Sequence, residues 1–385
     1  MRVIINGAST LKPKTGVGHT TVYLHRALQQ QTPDSFWLFP GQWTERIPKR
    51  QGRPSGGGTP SRWKPRLVEI AKAAYRVGFR AAARWGRFNL YHEPNFVPIR
   101  THLPTVVTVH DLSVLLHPEW HPADRVAFHE RHFHEGIAGA EHVIVVSEAV
   151  RREMIELLGM KPSRVTAIHN GIGDQYLIRD PLPVGERVSL GLPNRYLLTV
   201  GTIEPRKNIG MVMRAYCDLP ADTRMNCPLV LAGGWGWKSA AEREFFETTA
   251  RHCGVIHLGY IADVDLPVLY SGAAALLYPS FYEGFGLPPV EMLACGGGVV
   301  ASTAAAVREV VGRHAPLVDP YDFAGWRDAM LHVIREPDWL DGYREGGIAH
   351  ARQSTWRKAA ERTLRVYRNV LGLNSFREME ARHAA

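Results

Sequence analysis

Two doubly wound α/β domains, each a parallel sheet covered by helices on both faces, are predicted by three features of the 385-residue chain. Short β-branched runs alternate with longer helical patterns, the same scheme recurs in the second half, and a Gly- and Pro-rich stretch without periodicity, residues 170–195, separates the halves. The length agrees, because single cores stop growing at about 250–300 residues.

Taken in order, the strands of the first half fall at 3–6, 36–39, 90–92, 106–110, 143–147 and 165–169. Their continuous apolar character suits a parallel sheet buried on both faces. Those of the second half fall at 196–201, 229–233, 256–260, 275–280 and 299–303. The low-complexity segment "RQGRPSGGGTPSRWKP", 50–65, reads as a mobile loop within the first domain. From 354 onward Trp356, Ala360, Leu364 and Tyr367 space a final amphipathic helix. The expected division is 1–172 for the first domain, 173–194 for the linker, 195–352 for the second domain, and 353–385 for a terminal helix packing back towards the first domain.

Composition narrows the class. Hydrophobic residues make up 45% and charged residues 22%, and no apolar run approaches the roughly 20 residues that span a bilayer. The N-terminus, "MRVIINGAST", lacks the apolar centre and cleavage site of a signal peptide, so a cytoplasmic chain is expected. Cys217, Cys227, Cys253 and Cys295 have neither metal-ligand nor CxxC spacing, so neither a disulfide nor a zinc site is expected. A net charge of +9 attracts anions of any kind, whether nucleic acid, anionic lipid or nucleotide phosphates.

In open α/β sheets ligands lie beyond the carboxyl ends of the strands, so residues that follow strands are the informative ones. After strand 275–280 comes "FYEGFGLPPVE". Glu283 stands in the turn and Glu291 in the following helix, where Pro is tolerated in the first turn. At about 1.5 Å rise per residue the two acids stand on the order of 10 Å apart, enough to grip two ends of one ligand. Gly284 and Gly286 let backbone N–H groups approach closely, and the helix start favours anions. After strand 196–201, "TVGTIEPRKNIG" sets Arg206 and Lys207 side by side, a pair suited to a diphosphate. In the first half Gly16, Val17 and Gly18 precede a helix as a second candidate anion nest, and His110 and Asp111 end a strand.

Together these motifs resemble the retaining glycosyltransferases of family 4, two-domain GT-B enzymes with nucleotide-sugar donors. The resemblance covers nearly the whole chain and is sharpest at "EPRKN", 204–208, and "EGFGLPPVE", 283–291. It implies that Glu291 accepts from the ribose hydroxyls, that Glu283 contacts the transferred sugar, and that His110 lines the sugar site. Arg206 and Lys207 would hold the diphosphate, aided by backbone N–H groups around Gly16, Val17 and Gly18 and around Phe285, Gly286 and Leu287. "VVTVHDLSVLLHPEWHP" and "LYHEPNFVP" look most like bacterial mannosyltransferases of O-antigen and exopolysaccharide assembly, which makes GDP-mannose the first donor. The implied acceptor is a glycan or a polyprenyl-diphosphate-linked oligosaccharide, with no metal and no cofactor. One departure is "CGGGVV", 295–300, where many relatives carry a Pro.

Other signals carry less. "GGWGWKS" has Trp237 where a phosphate-binding P-loop needs Gly before the Lys. Asp263 reads as a helix N-cap rather than a metal ligand. His129, His132 and His134 do not share one helix face, so "FHERHFHE" reads as a solvated helix. In the helical stretch from 65 to 87, Trp63, Leu67, Ile70, Ala74, Val77 and Ala81 follow a core line, and Lys72, Arg76, Arg80, Arg84 and Arg87 flank it. Tyr75 and Phe79 fall beyond that arc as exposed aromatics, and such a face suits an anionic membrane, the alternative being a cover supplied by the 50–65 loop. The expected location is cytoplasmic, on the inner face of the plasma membrane. Rival readings are a UDP- or dTDP-sugar donor, a nucleotide-sugar epimerase of the same fold, and a basic nucleic-acid binder. No nucleic-acid-reading motif supports the last.

Overall fold

The computed structural model describes residues 1–11, 16–41, 64–177 and 191–373, and of 64–69 the backbone alone. The loop expected at 50–65 therefore lies, except for its last two residues, outside the described residues, as do Trp63, the Leu67 side chain and most of the linker.

The first sheet is wholly parallel, in the order β2-β1-β3-β4-β5-β6, with β1 Arg2–Asn6, β2 Ser35–Phe39, β3 Leu90–Glu93, β4 Thr105–Val109, β5 His142–Val145 and β6 Val165–Ala167. The second, also parallel, runs β12-β11-β10-β7-β8-β9, with β7 Tyr196–Val200, β8 Leu229–Ala232, β9 Val255–Gly259, β10 Ala273–Tyr278, β11 Val299–Ser302 and β12 Leu317–Val318. Of the strands among the described residues, only β12 escapes the sequence reading, because two residues show no periodicity. The helices that matter below are α1 Gly16–Gln31, α2 Lys64–Trp85, α3 Ala123–Ala138, α4 Glu148–Glu156, α5 Ile209–Cys217, α6 Leu266–Gly272, α7 Leu287–Ala294, α8 Ala305–Val311, α9 Phe323–Arg335 and α10 Trp356–Val370.

Alternation along the buried strands sorts the helices onto two faces. In the second sheet Leu197, Leu229, Leu231 and Leu277 pack with Val212 and Met213 of α5 and Trp326 and Met330 of α9. Their neighbours Leu198, Val230 and Leu276 turn the other way, onto Val290 and Leu293 of α7 and Val307 of α8. Burying each such side chain stabilises the fold by about 1.5–3 kcal/mol. In the first sheet the core is shared with the end of the chain: Ala359, Ala360, Leu364 and Tyr367 of α10 pack against Val3, Leu28 and Val106. The Tyr367 hydroxyl meets His92 Nδ1 at 2.6 Å, and His92 Nε2 meets Thr108 Oγ1 at 2.8 Å. Burial pushes the His92 imidazole down to about 3, so it stays neutral.

Three expectations are corrected here. α1 begins at Gly16, so Gly16, Val17 and Gly18 form its first turn and do not precede it. His129 is buried, with its ring against Phe96 and Phe128, whereas His134 is exposed; α3 is not solvated throughout. Most consequentially, α2 is rotated relative to the expected core line. Phe79 and Ala83 are buried, and the Tyr75 hydroxyl donates to Asn6 Oδ1 at 2.6 Å, whereas Ile70 and Val77 stand 64% and 65% exposed. The inward side is the one that offers large rings to Phe39 and Tyr91. A count of apolar positions could not find it, because the helix is apolar on both sides.

Replacing Tyr367→Phe leaves His92 Nδ1 without its buried partner and is expected to cost about 1–3 kcal/mol in urea unfolding. An unchanged midpoint would mean that α10 is held by its apolar side chains alone.

Candidate active site at the switch point of the second sheet

Counted from β7, the second sheet has the order 3-2-1-4-5-6, and the direction of winding reverses between β7 and β10. The chain leaves β7 towards α5 on one face and leaves β10 towards α7 on the other, which opens a crevice at the carboxyl edge. The two motif loops, after Val200 and after Tyr278, meet there. Phe281 N donates to Arg206 O at 2.8 Å and Asn208 Nδ2 donates to Pro279 O at 3.2 Å.

Glu283 is the centre of this edge. Its Oε2 lies 2.6 Å from Arg206 Nη1, and its Oε1 accepts from Lys207 Nζ, from the Tyr278 hydroxyl at 2.7 Å and from Ser280 Oγ at 2.9 Å. Arg206 Nε is also 2.6 Å from Glu204 Oε1. Burial would raise the Glu283 carboxyl, but Arg206 and Lys207 outweigh it and hold it at about 2. Burial lowers the Lys207 ammonium and raises Glu204, one of whose oxygens, Oε2, is buried without a partner. The arrangement is two cations balanced by two carboxylates; the Arg206 and Lys207 that the sequence reserves for a diphosphate are ion-paired with Glu283.

The first domain closes over this cluster. A Cβ added to Gly284 would meet the His110 carbonyl oxygen at 1.7 Å, so only Gly permits the approach. His110 Nε2 is 2.8 Å from Pro94 O; a carbonyl only accepts, so the proton sits on Nε2. Burial lowers the His110 imidazole, which is neutral. Asp111 next to it accepts from Ser113 N and Oγ; burial would raise its carboxyl, but Arg206 and these bonds hold it below the usual range. The Tyr282 hydroxyl spans the seam, accepting from Leu112 N at 3.1 Å and donating to Glu153 Oε2 of α4 at 2.5 Å. Phe285 is buried with its ring 5.4 Å from that of His169, Gly286 has φ 103°, and Leu287 opens α7.

Glu291, on α7, belongs to a second network. Its Oε2 accepts from the Tyr270 hydroxyl at 2.8 Å, and burial pushes its carboxyl up to about 7. The Tyr176 ring packs 5.9 Å from that of Tyr270, and its hydroxyl donates to Asp263 Oδ1 at 2.9 Å. Asp263 Oδ2 accepts from Tyr23 of α1 at 2.5 Å and from Gln175 Nε2 at 3.1 Å. The expected N-cap role of Asp263 is thus corrected: Asp265 precedes α6, and Asp263 ties α1, through Tyr23 two turns after Gly16, to Tyr176, whose ring packs on Tyr270, the partner of Glu291.

Residues 14–176 match the model of Glycosyltransferase Family 4, and residues 186–350 match that of Glycosyl transferases group 1. O-antigen chain mannosyltransferase B of Escherichia coli is 32% identical over 384 residues, covering 96% of this chain and 100% of that protein. The chain belongs to the group 1 and family 4 glycosyltransferases. The serotype-specific mannosyltransferase WbdA of Escherichia coli is 28% identical over 69% of this glycosyltransferase, which spans 34% of WbdA. Among solved structures, sucrose-phosphate synthase from Thermosynechococcus elongatus superposes with a TM-score of 0.67 at 21% identity, covering 97% of this chain and 100% of that one. Anabaena Alr3699/HepE in complex with UDP-glucose does so at 0.68 and 18% identity, covering 95% and 100%. Both share the GT-B fold.

Sequence reading missed Asp263, Tyr23, Tyr176, Tyr282 and Glu153 as seam residues; their contacts join positions 87 to 240 residues apart. It also missed Glu93, buried at the end of β3, whose oxygens accept from Asn6 Nδ2 at 2.6 Å, Tyr91 OH at 2.5 Å and Asn95 N at 3.0 Å. The "HEP" tripeptide at a strand end was the one available signal. Among the described residues there is no group of three or more His, Cys, Asp or Glu placed to hold a metal ion.

Burial pushes the Glu93 carboxyl from 4.5 up to about 7. A raised acid contributes stability that is complete below its unfolded pKa and is lost as the pH rises to the folded one. Wild-type stability is therefore expected to decline between pH 4.5 and 7, with Glu93→Gln removing up to about 3 kcal/mol of that decline. An identical slope in the two proteins, read from denaturation at several pH values, would refute it. Asp263→Ala leaves two hydroxyls without an acceptor, at about 1–3 kcal/mol. Turnover of nucleotide sugar is expected to fall on the order of tenfold in steady-state assays.

Proposed function

We propose that this glycosyltransferase is a retaining, metal-independent mannosyltransferase that moves mannose from GDP-mannose to a glycan or polyprenyl-diphosphate-linked oligosaccharide in cell-surface polysaccharide assembly. The observation that carries the reading is the buried cluster of Glu283, Arg206 and Lys207 at the switch point, facing His110 across the seam. Mannose is supported by the names of the two Escherichia coli relatives.

Cleavage of the sugar–phosphate bond passes through an oxocarbenium-like state while negative charge grows on the diphosphate. Arg206 and Lys207 are already desolvated and oriented by Glu283 and Glu204, so they meet that charge with little reorganisation. Backbone N–H groups of Phe285, Gly286 and Leu287 add to them; Pro288 and Pro289 have none to give. The first turn of α1, at Gly16, Val17 and Gly18, contributes from the other domain. Glu291, held by Tyr270, accepts from the ribose hydroxyls. Glu283 orients the sugar hydroxyls and His110 lines the sugar site. Both oxygens of Glu283 are engaged, by Arg206 on one side and by Lys207, Tyr278 and Ser280 on the other, which supports front-face attack by the acceptor hydroxyl over a covalent intermediate on this carboxylate.

The test is a thermal-shift panel with GDP, UDP, dTDP and their sugars, with and without EDTA. GDP and GDP-mannose are expected to stabilise the enzyme equally well in EDTA, and Glu291→Ala to abolish the response. A selective UDP or dTDP response would replace the donor, and a response only with added metal would overturn metal independence.

A further inference from the structure

We propose that the outward face of α2 docks the protein on an anionic lipid surface. The inference goes beyond the proposed reaction and does not depend on the donor. Helix geometry of about 100° per residue places Ile70, Ala73, Ala74, Val77 and Trp85 on one arc. All five are exposed, Ile70 by 64%, Val77 by 65% and Trp85 by 78%. The opposite side already supplies the core through Tyr75, Phe79 and Ala83, so the outer apolar arc is surplus to folding. From residue 70 to 87 every charged residue is a cation: Lys72, Arg76, Arg80, Arg84 and Arg87. Arg76, Arg80 and Arg84 form an exposed arc bordering the apolar one, and Arg87, also exposed, follows just past the helix end.

This combination selects the occupant. A nucleic acid would engage the cations but leave the apolar arc in water, and a second copy would bring the same uncompensated positive charge against itself. An anionic bilayer satisfies both arcs, with Val77, Ile70 and Trp85 entering the headgroup boundary and the arginines meeting lipid phosphates. Tyr75, on the inner side of the same helix, bonds to Asn6, which also bonds to Glu93. Asn6 and Glu93 end β1 and β3 at the winding reversal of the first sheet. A docked α2 therefore brings the bilayer up beside the loops of the first domain that border the cleft, where a lipid-borne acceptor has a short path to the donor.

Flotation with phosphatidylcholine vesicles, with and without phosphatidylglycerol, tests this in the full chain. The wild type is expected to float with the anionic vesicles at low salt and to be released by high salt. Val77→Asp/Trp85→Ser and Arg80→Glu/Arg84→Glu are each expected to lower the bound fraction roughly tenfold or more, with unfolding temperature and nucleotide-induced shift unchanged. Those two readouts separate failure of docking from failure of the fold or of the donor reading. The proposal is overturned if the wild type ignores anionic vesicles, or if either double variant binds them as well as the wild type. It is equally overturned if sedimentation shows a dimer that Val77→Asp/Trp85→Ser dissolves, or if an oligonucleotide duplex is held with the same dependence on Val77 and Trp85.

Discussion

The buried carboxylate of Glu283 between Arg206 and Lys207 is the interaction on which the rest of this enzyme is arranged. Two cations brought out of water at a sheet edge are costly by themselves, and removing their partner leaves them uncompensated. Glu283 makes their burial tolerable, and with Tyr278 and Ser280 it fixes the turn after β10 against the loop after β7. The strand order puts those two loops side by side, so topology, ion pairing and the direction in which the donors point form one constraint.

That constraint reaches the first domain through contacts of a different kind. Gly284 lets the backbone after β10 lie against the His110 carbonyl, Tyr282 reaches α4, and Asp263 gathers hydroxyls from α1 and from the first residues of the linker. On α8, Glu309 accepts from the N–H groups of Glu148 and Ala149 at the start of α4 and lies 2.6 Å from His169 Nε2. Its carboxyl is held below the usual range; burial opposes this, and His169 and the two amides prevail. Polar seams of this sort exchange partners with water more readily than apolar ones, which suits surfaces that separate to admit substrate.

Most of the architecture was legible because parallel strands buried on both faces have an unmistakable apolar signature, and their loops follow at once. The motif residues could be assigned to the carboxyl edges for the same reason. What could not be read was anything decided by long-range geometry. Glu283 and Arg206 are 77 residues apart, and their pairing leaves no local trace. Asp263 looked like a cap because the nearest helix start was all the sequence offered. α2 was misjudged for a different reason: when two faces of a helix are apolar, periodicity gives a stripe but not its direction, and only the rings of Phe39 and Tyr91 decide which side turns in.

The chain passes between the domains beside itself. Ile172, leaving the first sheet, pairs in parallel with Thr355, and Ile172 N donates to Ser354 O at 3.0 Å. Gly171 is pressed so closely on Trp356 that an added Cβ would stand 2.1 Å from its amide nitrogen. Ile172 follows the first sheet and Thr355 caps the start of α10, so this bridge ties the chain's way out of the first sheet to its way back, and α10 lifts off that sheet only by breaking it.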